Sequence, residues 1–186
     1  MKIKIIKYKS VKSTNNTAIR RIKYFKQPII IYSESQKKGK GTMGKIWISK
    51  KGNLFLSILF EFNPAKVSFK QHAVLNAYLV RKILQKYVIK RIKIKWPNDL
   101  LIEKKKVCGI LQEVINYKNK NFLIVGIGVN TCTFPKIVNY KISSLKDYSN
   151  KKVNNDKILK DIKKIYEKFI YDIKKYNFFR IKKSLK

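Results

Sequence analysis

Lys95-Trp96-Pro97-Asn98-Asp99 is the stretch on which the reading of this 186-residue chain turns. Ahead of it the sequence alternates. Ile92, Ile94 and Trp96 fall on one face of a strand, Lys93 and Lys95 on the other. Pro97 lacks a backbone donor and holds the residue before it extended, so the strand must stop or kink there. Asn98-Asp99 is turn chemistry, and Leu100 to Ile102 opens a new strand. The product is a lysine at a strand end, opposite an apolar face and beside an amide and a carboxylate. A solvated lysine at a hairpin corner looks the same in a chain so rich in lysine, so the corner alone decides nothing.

Downstream, Val107 to Ile115 and Phe122 to Val129 are expected to pair as strands joined through Asn116 to Asn121. In the second, Leu123, Val125, Ile127 and Val129 make one face, while Gly126, Gly128 and Asn130 share the other. Glycines on one face leave room for a flat ligand or for another element packed closely. Upstream, Ile29 to Ser33 is a short buried-type strand. It runs into Glu34-Ser35-Gln36-Lys37-Lys38-Gly39-Lys40-Gly41-Thr42-Met43-Gly44-Lys45-Ile46-Trp47. Such a loop can lie against a ligand and offer N–H groups to phosphate, although a mobile surface loop has the same composition. Ser13-Thr14-Asn15 supplies cap chemistry for a helix with the stripe Ala18, Ile19, Ile22 and Phe25. A capping hydroxyl can also face a ligand at the helix N-terminus.

The remaining elements read as scaffold. Lys2 to Tyr8 is a strand with one apolar face, and Asn53 to Phe62 is the most apolar strand. Ser68 to Gln71 fits a capping box for a helix burying Phe69, Ala73, Ala77, Val80 and Leu84. His72, on that helix, is expected to be partly exposed and without chemistry. Ser143 to Asp147 reads as a short helical turn and Asp156 to Ile173 as an amphipathic helix, with a last short helix after Tyr176.

Size and composition bound the rest. One domain of this length buries roughly 70% of its unfolded surface. A hydrophobic content of 45% with 12% aromatics is that of a globular protein rather than a basic tail. The formal charge of +35 would ordinarily point to nucleic acid or an anionic membrane. The lysines, however, are spread over strands, loops and helices alike, and Ile, Asn and Tyr are heavily used too, the pattern of a bias acting on the whole chain. Cys108 and Cys132 lack metal-ligand or redox spacing, and the single His72 cannot complete a zinc site. The N-terminus lacks the apolar block of a signal peptide and no run reaches transmembrane length, so a soluble cytoplasmic protein with free thiols is expected.

Taken in order, Ser13-Thr14-Asn15, the glycine-rich loop ending in Trp47, Lys95-Trp96-Pro97-Asn98-Asp99, Lys106-Val107-Cys108-Gly109-Ile110-Leu111-Gln112-Glu113 and Gly126-Ile127-Gly128-Val129-Asn130 resemble the motifs of biotin protein ligases. The resemblance runs roughly from Ser10 to Tyr148. It implies an α/β fold of α+β type, a mixed, largely antiparallel central sheet flanked by helices like that of class II aminoacyl-tRNA synthetases. It implies activation of biotin with ATP and Mg2+ to biotinyl-5′-AMP, then transfer to one lysine of the biotin carboxyl carrier protein of acetyl-CoA carboxylase. Lys95 is the expected catalytic cation. Ser13, Thr14, Asn15, Gln36, Lys40, Gly41, Thr42, Lys95 and Gly109 are the implied biotin contacts. Gly39, Lys40, Gly41, Thr42, Trp47, Asn98, Asp99, Gly126, Gly128 and Asn130 are those for ATP and the adenylate. Metal ligands are not assigned.

Departures from the family pattern are equally legible. The family usually carries an arginine where this chain has Thr42, and often a small residue at Cys108. The N-terminal helix-turn-helix and C-terminal β-barrel of many members have no counterpart here, so residues 1–186 are expected to be a single catalytic domain. The expected partners include no specific nucleic acid and no membrane, and the expected state is a monomer or weak homodimer. Lipoate ligases and octanoyltransferases share the fold and reaction but lack the Lys-Trp-Pro-Asn-Asp block. A basic RNA-binding protein rests on charge alone.

Overall fold

In a computed structural model describing residues 2–136 and 140–173, the apolar runs assemble into a seven-stranded sheet and a small hairpin. The strands in chain order are β1 (Lys4–Tyr8), β2 (Ile29–Ser33), β3 (Gly39–Lys40), β4 (Ile46–Trp47), β5 (Leu54–Glu61), β6 (Lys93–Lys95), β7 (Asp99–Ile102), β8 (Lys105–Tyr117) and β9 (Lys120–Val129). The large sheet has the order β1-β2-β5-β9-β8-β7-β6, and β3 pairs with β4 apart from it. β1 and β2 run parallel because helix α1 (Thr14–Arg21) crosses between them; the other neighbours are antiparallel. The mixed, largely antiparallel sheet expected from the sequence is therefore present.

Its two faces have different fates. Helices α2 (Phe69–Leu84) and α3 (Asn155–Tyr171) cover one face and bury Leu75, Leu79, Ile158 and Ile162 with Leu56, Ile58, Val125 and Ile127. On the other face, α1 covers one end only, packing Ala18 and Ile22 with Ile31, Leu59 and Ile124. Beyond α1 that face carries Ser57, Gly126, Gly128 and Gly109, and this uncovered part positions the site. β5, central in the sheet, is buried from Leu54 through Phe60, so its alternation is between two buried environments rather than core and solvent.

Several expectations change in detail. Ile92 is buried, but Trp96 is 58% exposed: the strand ends at Lys95 and the following turn carries the indole off the core face. The capping box at Ser68 and Gln71 forms, yet Phe69 in the first turn of α2 is largely exposed. The buried face of α2 is centred on His72, Leu75, Leu79 and Ile83, with Ala77, Val80 and Leu84 beside them, because the helix lies against both the sheet and α3. The hairpin between β8 and β9 turns at Lys118-Asn119, both in the left-handed region (φ 48° and 57°), in the middle of the expected Asn116 to Asn121 connection, but both strands run closer to the turn than the sequence suggested. The turn near Ser143 becomes a 3-10 turn at Lys146–Tyr148, and the helix expected after Tyr176 lies outside the described residues. Among the described residues no helix is long and apolar enough to cross a membrane.

His72 is the clearest correction: it is fully buried, not partly exposed. Its ring packs among Phe60, Phe62 and Phe169, and Nδ1 lies 3.1 Å from the Ser68 carbonyl oxygen. Burial lowers its pKa below the ordinary value, so the folded protein binds that proton less readily than the unfolded chain. Its contribution to stability is therefore complete above an unfolded pKa of about 6.5 and is lost as pH falls below it. We expect the melting temperature to drop by about 2–4 °C more between pH 7 and pH 5 in the natural protein than in His72→Phe. Identical pH profiles in thermal melts would refute this assignment.

Candidate active site

The uncovered sheet face, the loop from Gln36 to Ile48 and the β6–β7 turn enclose a cavity of about 310 Å3. Its floor is one row across four strands, in which Phe55 pairs with Gly128, Gly128 with Gly109 and Gly109 with Asp99. The Trp47 indole lies on this row. A Cβ at Gly109 would come within 2.7 Å of the Trp47 ring, and one at Gly128 within 2.5 Å. The two glycines thus accommodate an aromatic side chain of the chain itself, the close-packing alternative that the sequence left open. Gly126 similarly makes way for the Asn15 amide. Gly39 is absent from the lining: a Cβ there would strike the Trp47 carbonyl oxygen, so this glycine serves the β3–β4 pairing.

One end of the cavity is polar and tightly tied. Ser13 caps α1, accepting from the Asn16 N–H at 3.5 Å. Next to it, Thr14 donates from its N–H (2.8 Å) and hydroxyl (3.1 Å) to Gln36 Oε1, and Gln36 Nε2 donates to Ser49 Oγ at 3.1 Å. Ser57 Oγ, rising from β5, lies within hydrogen-bonding reach of Thr14 Oγ1 and Asn15 Oδ1. Asn15 Nδ2 donates to Glu113 Oε2 at 2.6 Å, and Glu113 Oε1 receives Lys40 Nζ at 3.2 Å. One carboxylate on β8 therefore orients the Asn15 amide and ties down the loop residue Lys40. Ser57 and Glu113 were not singled out in the sequence; Ser57 is the one hydroxyl within an otherwise apolar strand, and that was the available signal.

The other end is cationic. Lys95 stands exposed at the rim with Asn98 and Asp99 beside it, as the corner motif requires. A second lysine, Lys106, lies further in, with its side chain 24% exposed. Its Nζ sits 2.7 Å from Asp99 Oδ1, an ion pair whose approach lies off ideal hydrogen-bond geometry, and 5.4 Å from the Trp47 ring centroid. Strict alternation along β8 would send Lys106 to the same face as Cys108 and Ile110, both in the core. A register shift between β7 and β8 skips Val107, with Leu100 opposite Cys108 and Leu101 opposite Lys106. That bulge turns Lys106 onto the Gly109 face, where its Cε lies 3.3 Å from the position of a Gly109 Cβ. Cys108 itself is wholly buried, and burial pushes its thiol pKa upward, so it is a packing residue.

Asn130 closes this end. Its Nδ2 donates to the Ser143 carbonyl at 3.3 Å, while its buried Oδ1 is left without a protein partner on the cavity wall. Lys40, Gly41 and Thr42 line the side formed by the loop, where Gly41 N–H donates to the Lys45 carbonyl at 2.7 Å. Among the described residues no three His, Cys, Asp or Glu side chains stand close enough to hold a metal ion. Asp99 is the acidic residue in the cavity lining. The arrangement places hydrogen-bonding groups at one end, an aromatic and glycine floor in the middle and two lysines at the other. It can hold an elongated, flat, anionic ligand.

Known proteins share both sequence and shape. The bifunctional ligase/repressor BirA of Bacillus spizizenii is 28% identical over 159 residues, covering 82% of this chain and 49% of its own. Biotin–protein ligase 2 of Arabidopsis thaliana is 35% identical over 107 residues, covering 54% of this chain and 32% of its own. The chain thus spans about half the length, or less, of the curated relatives it matches. The biotin protein ligase of Aquifex aeolicus, solved in complex with biotin and ATP, superposes with a TM-score of 0.79 at 27% identity. It covers 98% of this chain and 76% of its own. Residues 8–130, which run from the end of β1 to Asn130 and contain both ends of the cavity, match one family, and by that match the chain belongs to the biotin/lipoate A/B protein ligase family.

Proposed function

We propose that this chain is an ATP-dependent biotin protein ligase that makes biotinyl-5′-AMP and passes the acyl group to a lysine of a biotin carboxyl carrier protein. The observation that carries the reading is the convergence of five separate sequence motifs on one cavity, polar at one end and cationic at the other. Ser13, Thr14, Asn15 and Gln36 form the end suited to the head group of biotin. Trp47 with Gly41, Thr42 and Gly109 borders its middle. Lys95, Lys106, Asn98, Asp99 and Asn130 belong to the end suited to the carboxylate and the adenylate, while Gly126 lies against the Asn15 amide and Gly128 under the Trp47 ring. Gly39, with no place in the lining, acts through the hairpin.

In the first step a carboxylate oxygen attacks the α-phosphorus, the bond to the β-phosphate oxygen breaks and pyrophosphate leaves. Two anions must be brought together, so positioning and charge compensation carry the catalysis. Lys106, fixed by Asp99, faces the reacting oxygens, and Lys95 at the rim holds phosphate. Magnesium on the triphosphate would screen its charge, and a single carboxylate such as Asp99 fits the usual sharing of that ion between protein and phosphates. In the second step the acceptor amine attacks the acyl carbon, the bond to AMP breaks and the amine gives up a proton as the amide forms. A cytoplasmic setting suits this chemistry and the free thiols.

The test is incubation with labelled biotin and ATP, and separately with labelled lipoate and ATP. Biotin-dependent pyrophosphate release with no lipoate-dependent release is the expected outcome. The reverse pattern would assign the chain to the lipoate branch of its family, and absence of both would sink the ligase reading.

A further inference from the structure

Residues 141–145 run as a strap along the bulge that turns Lys106 toward the cavity. Lys106 N–H donates to the Lys141 carbonyl at 2.8 Å, and the Lys106 carbonyl accepts from Ser143 N–H at 3.0 Å, so Lys106 and Ile142 form a parallel bridge. A bulge locally disrupts the ladder, and here the strap supplies partners to both backbone polar groups of the lysine. The same strap holds Asn130. The Asn130 side chain donates to the Ser143 carbonyl at 3.3 Å, and its main-chain carbonyl accepts from Leu145 N–H at 2.8 Å. Asn130 N–H in turn donates to the Val107 carbonyl at 2.8 Å, which joins the bulge, the end of β9 and the strap in one hydrogen-bonded unit.

Outside the cavity lining, one carboxylate pins this unit. Asp147 Oδ2 accepts the Ser143 hydroxyl at 2.6 Å and the Ser144 N–H at 3.0 Å, where the chain enters the 3-10 turn Lys146–Tyr148. Ser143, Ser144 and Leu145 are buried, whereas Asp147 is exposed. Hydrogen bonds to an ionised acceptor are stronger than neutral ones, so Asp147 fixes the direction of the strap without filling the core. We propose that Asp147 is a positioning residue: through Ser143 it holds the strap, and the strap holds Lys106 and Asn130 in one fixed relation for adenylation. The proposal rests on the ligase reading above and gives that site a residue that touches neither substrate. Without the carboxylate the Ser143 hydroxyl is left buried and lacks its acceptor, and the strap is free to shift. A displacement of about 1 Å at a reacting group can cost about 10²-fold in rate. Thr14 and Gln36, at the other end of the cavity, are held by separate contacts.

Two measurements keep geometry and chemistry apart. Amide hydrogen exchange reads the strap directly: in Asp147→Ala the Lys106, Ser143 and Leu145 amides should exchange at least about tenfold faster, while those of β5 keep their natural rates. Kinetics read the consequence. At saturating ATP, Asp147→Ala should lower kcat for biotin-dependent pyrophosphate release roughly 10- to 100-fold and leave the equilibrium affinity for labelled biotin within about twofold. Asp147→Asn, which keeps an acceptor oxygen for Ser143, should recover most of the rate. Ser143→Ala removes the other partner of the same hydrogen bond and should lose rate in the same direction. The double variant of Asp147→Ala with Lys106→Met should be within about twofold of Lys106→Met alone, because the aspartate acts through the lysine. A merely structural role would weaken biotin binding in parallel with the rate, and the losses in the double variant would add; either result overturns the proposal. So would unchanged exchange at Lys106 in both Asp147→Ala and Ser143→Ala. Absence of pyrophosphate release from the natural protein would fail the ligase reading and the role in adenylation with it, whereas a failure confined to the variants leaves that reading standing.

Discussion

Lys106→Met should reduce the rate of biotin adenylation by roughly 10²–10³-fold while leaving the protein folded. That is the loss typical of removing one preorganised donor from a developing oxyanion. The expectation rests on where the lysine is held. Its charge is fixed by Asp99 at 2.7 Å, its ammonium lies 5.4 Å from the Trp47 ring centroid, and its side chain is 24% exposed. A charge restrained in a partly desolvated site acts more strongly than one free in water. Lys95→Ala, at the exposed rim, should cost about tenfold, the value of a weaker phosphate contact. Lys93→Ala, on the same strand but outside the cavity lining, should change the rate little. Methionine keeps the length of the stem but leaves Asp99 without its ion-pair partner, so thermal melts must accompany the rates. Single-turnover pyrophosphate release measures all three. Equal losses at positions 93, 95 and 106 would mean that general positive charge matters and no lysine is specially placed.

The difference between Lys95 and Lys106 shows how far the sequence could be read. Period-two patterns located the long strands and the pairing of β8 with β9, because burial on at least one face imposes them. The glycine face at Gly126 and Gly128 was also legible, since glycines at alternate positions leave one side of a strand bare. What filled it was not. The Trp47 indole at Gly128 comes from a loop about eighty residues earlier and the Asn15 amide at Gly126 from the first turn of α1, contacts no local pattern encodes. Lys106 was hidden for two reasons. It ends a run of three lysines at 104–106 in a chain with 45 basic residues, so its type carried no information. Its direction is set by the bulge at Val107, and a single skipped residue reverses the face that alternation assigns. His72 was misplaced because a polar residue on a helix is ordinarily assigned to solvent. Here α2 lies between the sheet and α3, and the histidine falls among three phenylalanines. Trp96 failed in the opposite sense, its alternation ending one residue too early. In each case tertiary placement outweighed a pattern only a few residues long.

Thr42→Arg should slow the escape of biotinyl-AMP by about 10- to 150-fold. A charge-assisted hydrogen bond from arginine to phosphate contributes about 1.5–3 kcal/mol, and about 1.4 kcal/mol corresponds to a factor of ten. Thr42 lines the cavity at the start of the 3-10 turn Thr42–Gly44, so a longer side chain there is directed along the wall where the adenylate is proposed to lie. Threonine is neutral and short. The nearby lysines are poorly placed to substitute for an arginine, because each is already engaged. Lys40 Nζ is held by Glu113 at 3.2 Å, and Lys45 Nζ by the Tyr140 hydroxyl at 3.0 Å. Lys45 also lies over the Tyr140 ring, and its hydrogen bond, with its charge, lowers the pKa of that phenol. Releasing either lysine toward phosphate would break these contacts, and Lys40 would also leave the carboxylate that orients Asn15. The measurement is to load the protein with biotin and ATP, remove free nucleotide, and follow biotinyl-AMP release from the natural protein and from Thr42→Arg. Slower release from the arginine variant should be accompanied by less biotin on bystander lysines, including the protein's own. Equal release rates would show that Lys40 or Lys45 already supplies the missing charge, and that the ion pair with Glu113 or the contact with Tyr140 gives way when the adenylate forms.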